Sequence, residues 1–112
     1  MLGPLANSLE HYMDLLSARQ KVVASNIANA DTPGYKTQDI DFQTEYQKLL
    51  EGDAPHTSEV AGLQPRNDGN NVSLDREARL LAENALRFSM ASNLLRTQIH
   101  LVRSAIQEGK NG

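Results

Sequence analysis

The chain has 112 residues, 14 acids against 11 lysines and arginines, and neither cysteine nor tryptophan. That length allows a single domain over 1–112, and with 4% aromatic residues it restricts the core that can be buried. Disulfides and thiolate zinc sites are excluded, and with no basic stripe the charge pattern argues against nucleic-acid binding. Residues 31–72 hold eight acids and three bases, whereas 73–112 hold six bases and four acids. No stretch approaches the ~18–20 apolar residues of a membrane span. Met1-Leu2-Gly3-Pro4-Leu5 lacks the basic start of a Sec-type signal peptide.

A first helix is predicted over about residues 5–31, with Pro4 suited to its first turn. Leu9, Met13, Leu16, Gln20, Val23, Ile27 and Ala30 alternate by four and three, and only Gln20 is polar. That is a heptad seam. An adjacent stripe of Tyr12, Leu15, Arg19, Val22, Asn26 and Asn29 is half polar, which suits a surface that meets a partner. The helix should end by Asp31, because Thr32 precedes a proline. Pro33 and Gly34 then supply the dihedrals of a type II turn over Thr32–Tyr35.

Residues 32–72 are expected to hold this turn, a short helix and a long flexible loop. Asp39 or Asp41 is placed to cap the short helix, whose apolar face is Phe42, Tyr46, Leu49 and Leu50, with Gly52 as its stop. Residues 52–71 are glycine- and proline-punctuated and lack periodicity. Within them, Asn67-Asp68-Gly69-Asn70-Asn71 is a turn signal that could also close a short hairpin.

The C-terminal helix is predicted over about residues 73–108, with Ser73 as N-cap, Asp75 and Glu77 favoured by the helix dipole, and Gly109 as the stop. Leu74, Ala78, Leu81, Ala85, Phe88, Ser92, Leu95, Ile99, Val102 and Ile106 hold the four-three alternation, and Leu80, Leu94 and Leu101 widen the stripe. At about 1.5–3 kcal/mol for each large buried side chain, this face must pair with the first helix, with other chains, or with both. Asp75–Arg79 and Glu83–Arg87 have the favourable spacing of a solvated face. The fold class is therefore all-α: two long terminal helices in an antiparallel, coiled-coil-like pair.

Catalytic chemistry finds little support. His11, His56 and His100 form no i,i+4 pair, and Asp39 and Asp41 read as capping and loop residues. The asparagine-rich turn falls short of a calcium loop, and no phosphate-binding loop or nucleophile elbow occurs. No catalytic, metal or cofactor residue is assigned. A non-enzymatic assembly subunit is the leading expectation; the alternative is a helical adaptor or chaperone that binds a partner helix.

The run Ser25-Asn26-Ile27-Ala28-Asn29-Ala30-Asp31-Thr32-Pro33-Gly34-Tyr35-Lys36 resembles the N-terminal signature of the bacterial flagellar axial proteins. Asp39-Ile40-Asp41-Phe42 and Asp68-Gly69-Asn70-Asn71-Val72-Ser73-Leu74-Asp75-Arg76-Glu77 narrow the resemblance to the proximal rod branch. The short middle separates it from hook and distal rod proteins. The resemblance implies a structural subunit of the basal-body rod, the shaft that transmits motor torque. It implies a periplasmic location reached through the flagellar type III export apparatus without a cleaved signal. Implied partners are FlgC-type and distal rod subunits, FliE and the MS ring. The implied motif residues are Ser25, Asn26, Ile27, Asn29, Asp31, Thr32, Pro33, Gly34 and Tyr35. The implied assembly seams are Leu9, Met13, Leu16, Val23 and Ile27 on the first helix. On the last helix they are Leu74, Leu81, Phe88, Leu95, Ile99, Val102 and Ile106. Asn26 and Asn29 are expected to reach a neighbour or the helix's own free carbonyls.

Overall fold

The computed structural model describes residues 3–49 and 54–111. Five elements follow in order: α1 (Gly3–Ala28), β1 (Gln38–Asp39), α2 (Phe42–Leu49), β2 (Ser58–Glu59) and α3 (Leu74–Asn111). Helices α1 and α3 pack side by side in opposite directions, and α2 and β1 sit against α1. At about 1.5 Å per residue α3 is a rod of roughly 57 Å and α1 one of roughly 39 Å. The molecule is accordingly elongated, 71 × 26 × 18 Å.

Local chemistry explains most of the boundaries. The first helix stops before Thr32, and Tyr35 N–H closes the predicted turn on the Thr32 carbonyl at 3.2 Å. Gly34 has φ +76°, the left-handed value that the third turn position needs. Ser73 caps α3 by accepting the Arg76 N–H at 3.2 Å. For α2 the cap is Asp41, with the Thr44 N–H 3.4 Å from its carboxylate, and not Asp39. The predicted stop at Gly52 lies outside the described residues. Gly109 does not end α3, which continues through Asn111. Glycine at an exposed helical position costs only about 1 kcal/mol, too little to break a helix already this long.

Residues 54–71 are not without structure. Ser58–Glu59 pairs antiparallel with Gln38–Asp39, in the register Gln38–Glu59 and Asp39–Ser58. Val60 N–H adds a bond to the Thr37 carbonyl at 2.9 Å. Two residues per strand is too short for alternation to register in the sequence. The short helix α2 is held on α1 by Tyr12, whose ring meets Phe42 and Tyr46 edge-on at 5.4 and 6.4 Å between centroids.

The buried face of the helix pair differs from the predicted seam. On α1, Ala6, Leu15, Leu16, Val23 and Asn26 are buried, so the contact runs between the two predicted stripes. On α3 the buried residues are Glu77, Asn84 and Ala91, a seven-residue row of polar and small side chains. The large apolar residues of the predicted seam lie to one side of it. Hydrophobicity leaves open whether that stripe meets the first helix, other chains or both, and the contact with α1 is held at its centre by two asparagines and a glutamate through hydrogen bonds.

Candidate assembly junction and uncovered helix faces

The end of α1, the turn after it and the start of α3 meet at one place. Asn26 stands at its centre, fully buried. Its amide nitrogen donates to the Gln38 carbonyl at 2.8 Å and to the Glu77 carboxylate at 3.1 Å. Its amide oxygen accepts the Tyr35 hydroxyl and the Gln38 N–H, each at 3.1 Å. All the common hydrogen-bonding capacity of one side chain is thus used inside the chain.

Charge surrounds this hub. Arg19 grips Asp39 with two bonds, at 3.1 and 3.0 Å, in the forked geometry that guanidinium and carboxylate share. Arg76 bridges Asp39 at 2.6 Å to Glu77 at 2.7 Å. Glu77 is wholly buried, so Arg76 and Asn26 together satisfy both of its oxygens. Burial works to raise the Asp39 pKa, but the Arg19 bonds, the Ile40 N–H, the Arg19 charge and Arg76 outweigh it and hold it below the ordinary 3.8.

The asparagine-rich loop docks on the turn from the other side. Gly34 N–H donates to the Asp68 carbonyl at 2.9 Å, and Asn71 N–H to the Tyr35 carbonyl at 3.2 Å. Buried Asn70 donates to the carbonyls of Asn29 and Thr32, both at 2.9 Å, adding a second donor to acceptors that the turn already pairs with the Thr32 and Tyr35 N–H groups. The Asn71 side chain accepts the Thr37 N–H at 2.7 Å. Arg66 reaches the Ala30 and Val72 carbonyls, and Lys36 reaches the Gly69 carbonyl. Gly69 sits in van der Waals reach of the Gly34 backbone, and its φ of +86° disfavours any side chain there. The loop predicted from its turn signal is therefore a clasp on the α1 terminus.

The motif residues divide clearly. Asn26, Gly34, Tyr35 and the Asn29 and Thr32 carbonyls are engaged in the junction. The Asn29 side chain turns back to the Ser25 carbonyl at 2.8 Å and accepts the Thr32 hydroxyl at 3.0 Å. Ser25, Ile27, Asp31 and Pro33 are exposed. Of the two partners expected for the asparagine amides, a neighbour or the helix's own carbonyls, Asn29 takes the second, while Arg19 and Asn26 are engaged with Asp39, Gln38 and Glu77 within the chain.

Of the seam residues, Leu16 and Val23 are buried. Leu9, Met13, Leu95, Ile99 and Val102 are half-buried. Ile27, Leu74, Leu81, Phe88 and Ile106 are exposed. A second set, Leu86, Met90, Leu94 and Leu101, keeps 55% to 63% of its surface open on the other flank of α3. Grooves flank the pair on both sides, one of about 490 Å³ bordered by Leu16 and Phe88, another bordered by Tyr12, Met90 and Leu94. Such an amount of uncovered apolar surface marks an interaction site.

Sequence reasoning missed the roles of Asp39, Glu77, Asn84 and Arg66. Glu77 looked like a first-turn acid and Asp39 like a cap, and single-helix spacing contains nothing to show that both face Arg76. Among the described residues no cluster of three or more metal-ligating side chains occurs. No described helix is long and apolar enough to cross a membrane.

Comparison with known proteins agrees with this architecture. A family model described as "Flagella basal body rod protein" matches residues 13–36, the second half of α1 and the turn. The flagellar basal body rod protein FlgB of Escherichia coli K12 is 35% identical, over 87% of this chain and 88% of that protein. FlgB of Yersinia enterocolitica is 34% identical over 97% of this chain and all of that protein. FlgB of Borreliella burgdorferi is 30% identical over 83% and 86%. These proteins are rod components and not enzymes, and the motif junction of this chain is built from the matched segment and its docking loop. The chain belongs to the FlgB family of structural flagellar basal-body rod proteins.

Proposed function

We propose that this chain acts as one rod-subunit domain of the proximal rod, with its terminal helices forming the wall of the shaft that carries motor torque. The observation that supports this most is the pair of apolar rows left open on the two flanks of α3. An α-helix does not keep that surface in water without a purpose, and rows on two flanks suit a subunit placed between neighbours. FlgC-type and distal rod subunits, FliE and the MS ring are the partners in this reading. The subunit reaches the periplasm through the flagellar type III export apparatus without a cleaved signal. The terminal helices gain their full order on stacking, because much of the surface that would stabilise them is supplied by neighbours.

Complementation tests the reading. In a flagellated strain lacking its own subunit, this chain should restore rods above intact MS rings. The Leu101→Asp variant should be made and exported but should leave rods unbuilt. Restored swimming with Leu101→Asp, Leu86→Asp and Leu81→Asp alike would contradict an assembly role for these faces.

A further inference from the structure

Helix α3 carries two heptad rows side by side. Glu77, Asn84 and Ala91 face α1, while Leu74, Leu81 and Phe88 recur at the same interval and stay exposed. At about 100° per residue, Leu81 lies about 60° and Phe88 about 40° round the helix from Asn84. Area burial alone favours the leucine row in the pair. There is room for it, because Phe88 borders the groove of about 490 Å³ beside Leu16 and Gln20.

Hydrogen bonds hold the other row in place. Asn84 donates to the Leu16 carbonyl at 2.9 Å and to the Gln20 side chain at 3.0 Å. Its own amide oxygen is buried and has no partner among the described residues. A buried, unpaired carbonyl costs stability, so Asn84 is a poor choice if stability of the pair were its purpose. Asparagine at a helix-pair core position fixes one packing at the expense of stability.

We propose that Asn84 is a rotational lock, holding α3 at the angle that turns the Leu74–Leu81–Phe88 row outward. Without it that angle is held only at the start of α3, by the Glu77 and Arg76 contacts with Asn26 and Asp39. Beyond them the helix turns toward burying Leu81 and Phe88 against α1, which yields a subunit that keeps its junction, loses a buried unpaired carbonyl and cannot assemble. This rests on the rod-subunit reading, in which the row meets neighbours, and makes Asn84 a positioning residue.

The Asn84→Leu variant of the full chain tests it in three measurements. Its melting temperature should rise by about 4 °C. A thiol placed by Leu81→Cys should react with maleimide several-fold more slowly in the Asn84→Leu background. The variant should fail to build rods in cells. A lowered melting temperature, unchanged thiol reactivity, or normal rod formation would each overturn the lock. If Asn84→Leu does not fold, Asn84→Ala with Leu81→Cys is judged on labelling alone, slowed for the lock and unchanged against it. Failure of the unsubstituted chain to restore rods would refute the rod reading instead, and leaves the melting and labelling results standing.

Discussion

The motif junction and the flanks of α3 satisfy their chemistry in opposite ways. At the junction, polar side chains from α1, the turn, the asparagine-rich loop and the start of α3 answer one another within a single chain. Along the flanks, leucines, a methionine and a phenylalanine find no counterpart. Polar groups demand partners of fixed geometry, and a chain can supply those to itself before any neighbour arrives. Apolar surface demands only cover, which a neighbour can supply later. The contrast separates folding from assembly: one region sets where the helices cross and where the chain leaves them, and the other remains for contact.

Substitutions at the junction should therefore damage the subunit itself. Asn26→Ala has the largest expected effect, because it strands the Tyr35 hydroxyl and the Gln38 N–H and removes one of the two groups holding buried Glu77. A loss of about 3–5 kcal/mol is expected in urea or thermal unfolding of the purified chain. Asn70→Ala removes one of the two donors on each of the Asn29 and Thr32 carbonyls and leaves the buried Val72 N–H without its acceptor. It should cost about 2–3 kcal/mol in the same measurement. If either variant unfolds like the unsubstituted chain, the junction is not the folding anchor.

Acid provides a test of the ionic part. The folded-state pKa of Asp39 lies below its unfolded value of 3.8, so its stabilisation is complete above that value and fades as pH falls through the lower folded one. Stability should fall in this window below pH 3.8. Asp39→Asn should be less stable at neutral pH and should show a shallower acid slope, measured by urea unfolding across pH. An unchanged slope would mean that Arg19 and Arg76 do not hold the carboxylate as described.

The flanks should respond in the reverse sense. Leu101→Ser and Leu86→Ser should change the stability of the free chain by no more than about 0.5 kcal/mol while preventing rod formation. The smallest effect is expected at the exposed Glu83–Arg87 pair, 2.6 Å apart on α3. Glu83→Gln should cost only about 0.3–0.5 kcal/mol. A larger effect there than at Asn70 would reverse the contrast between the two regions.

Much of this arrangement is legible in the sequence, for identifiable reasons. Both long helices announce themselves by heptad alternation, the turn by Thr32-Pro33-Gly34, and the α3 cap by Ser73, because each is a local rule. The wide stripe on α3 correctly signals more apolar surface than one partner helix needs. What periodicity does not reveal is rotation. Leu81 and Phe88 score higher than Asn84 as core residues, and only the Leu16 carbonyl and Gln20, 68 and 64 residues away, explain why Asn84 faces inward. The clasp is invisible for the same reason: Asn70 and Asn29 are 41 positions apart, and their pairing is a tertiary fact.

The division between a closed junction and open flanks is tested most directly by thiol accessibility, which the absence of native cysteine makes clean. Single cysteines at Leu86, Met90, Leu94 and Leu101 would be labelled in the free chain and again in isolated basal bodies. All four should react readily in the free chain and become protected in the assembled rod. Equal reactivity in both states would show that these faces stay in water, and that assembly uses some other part of the molecule.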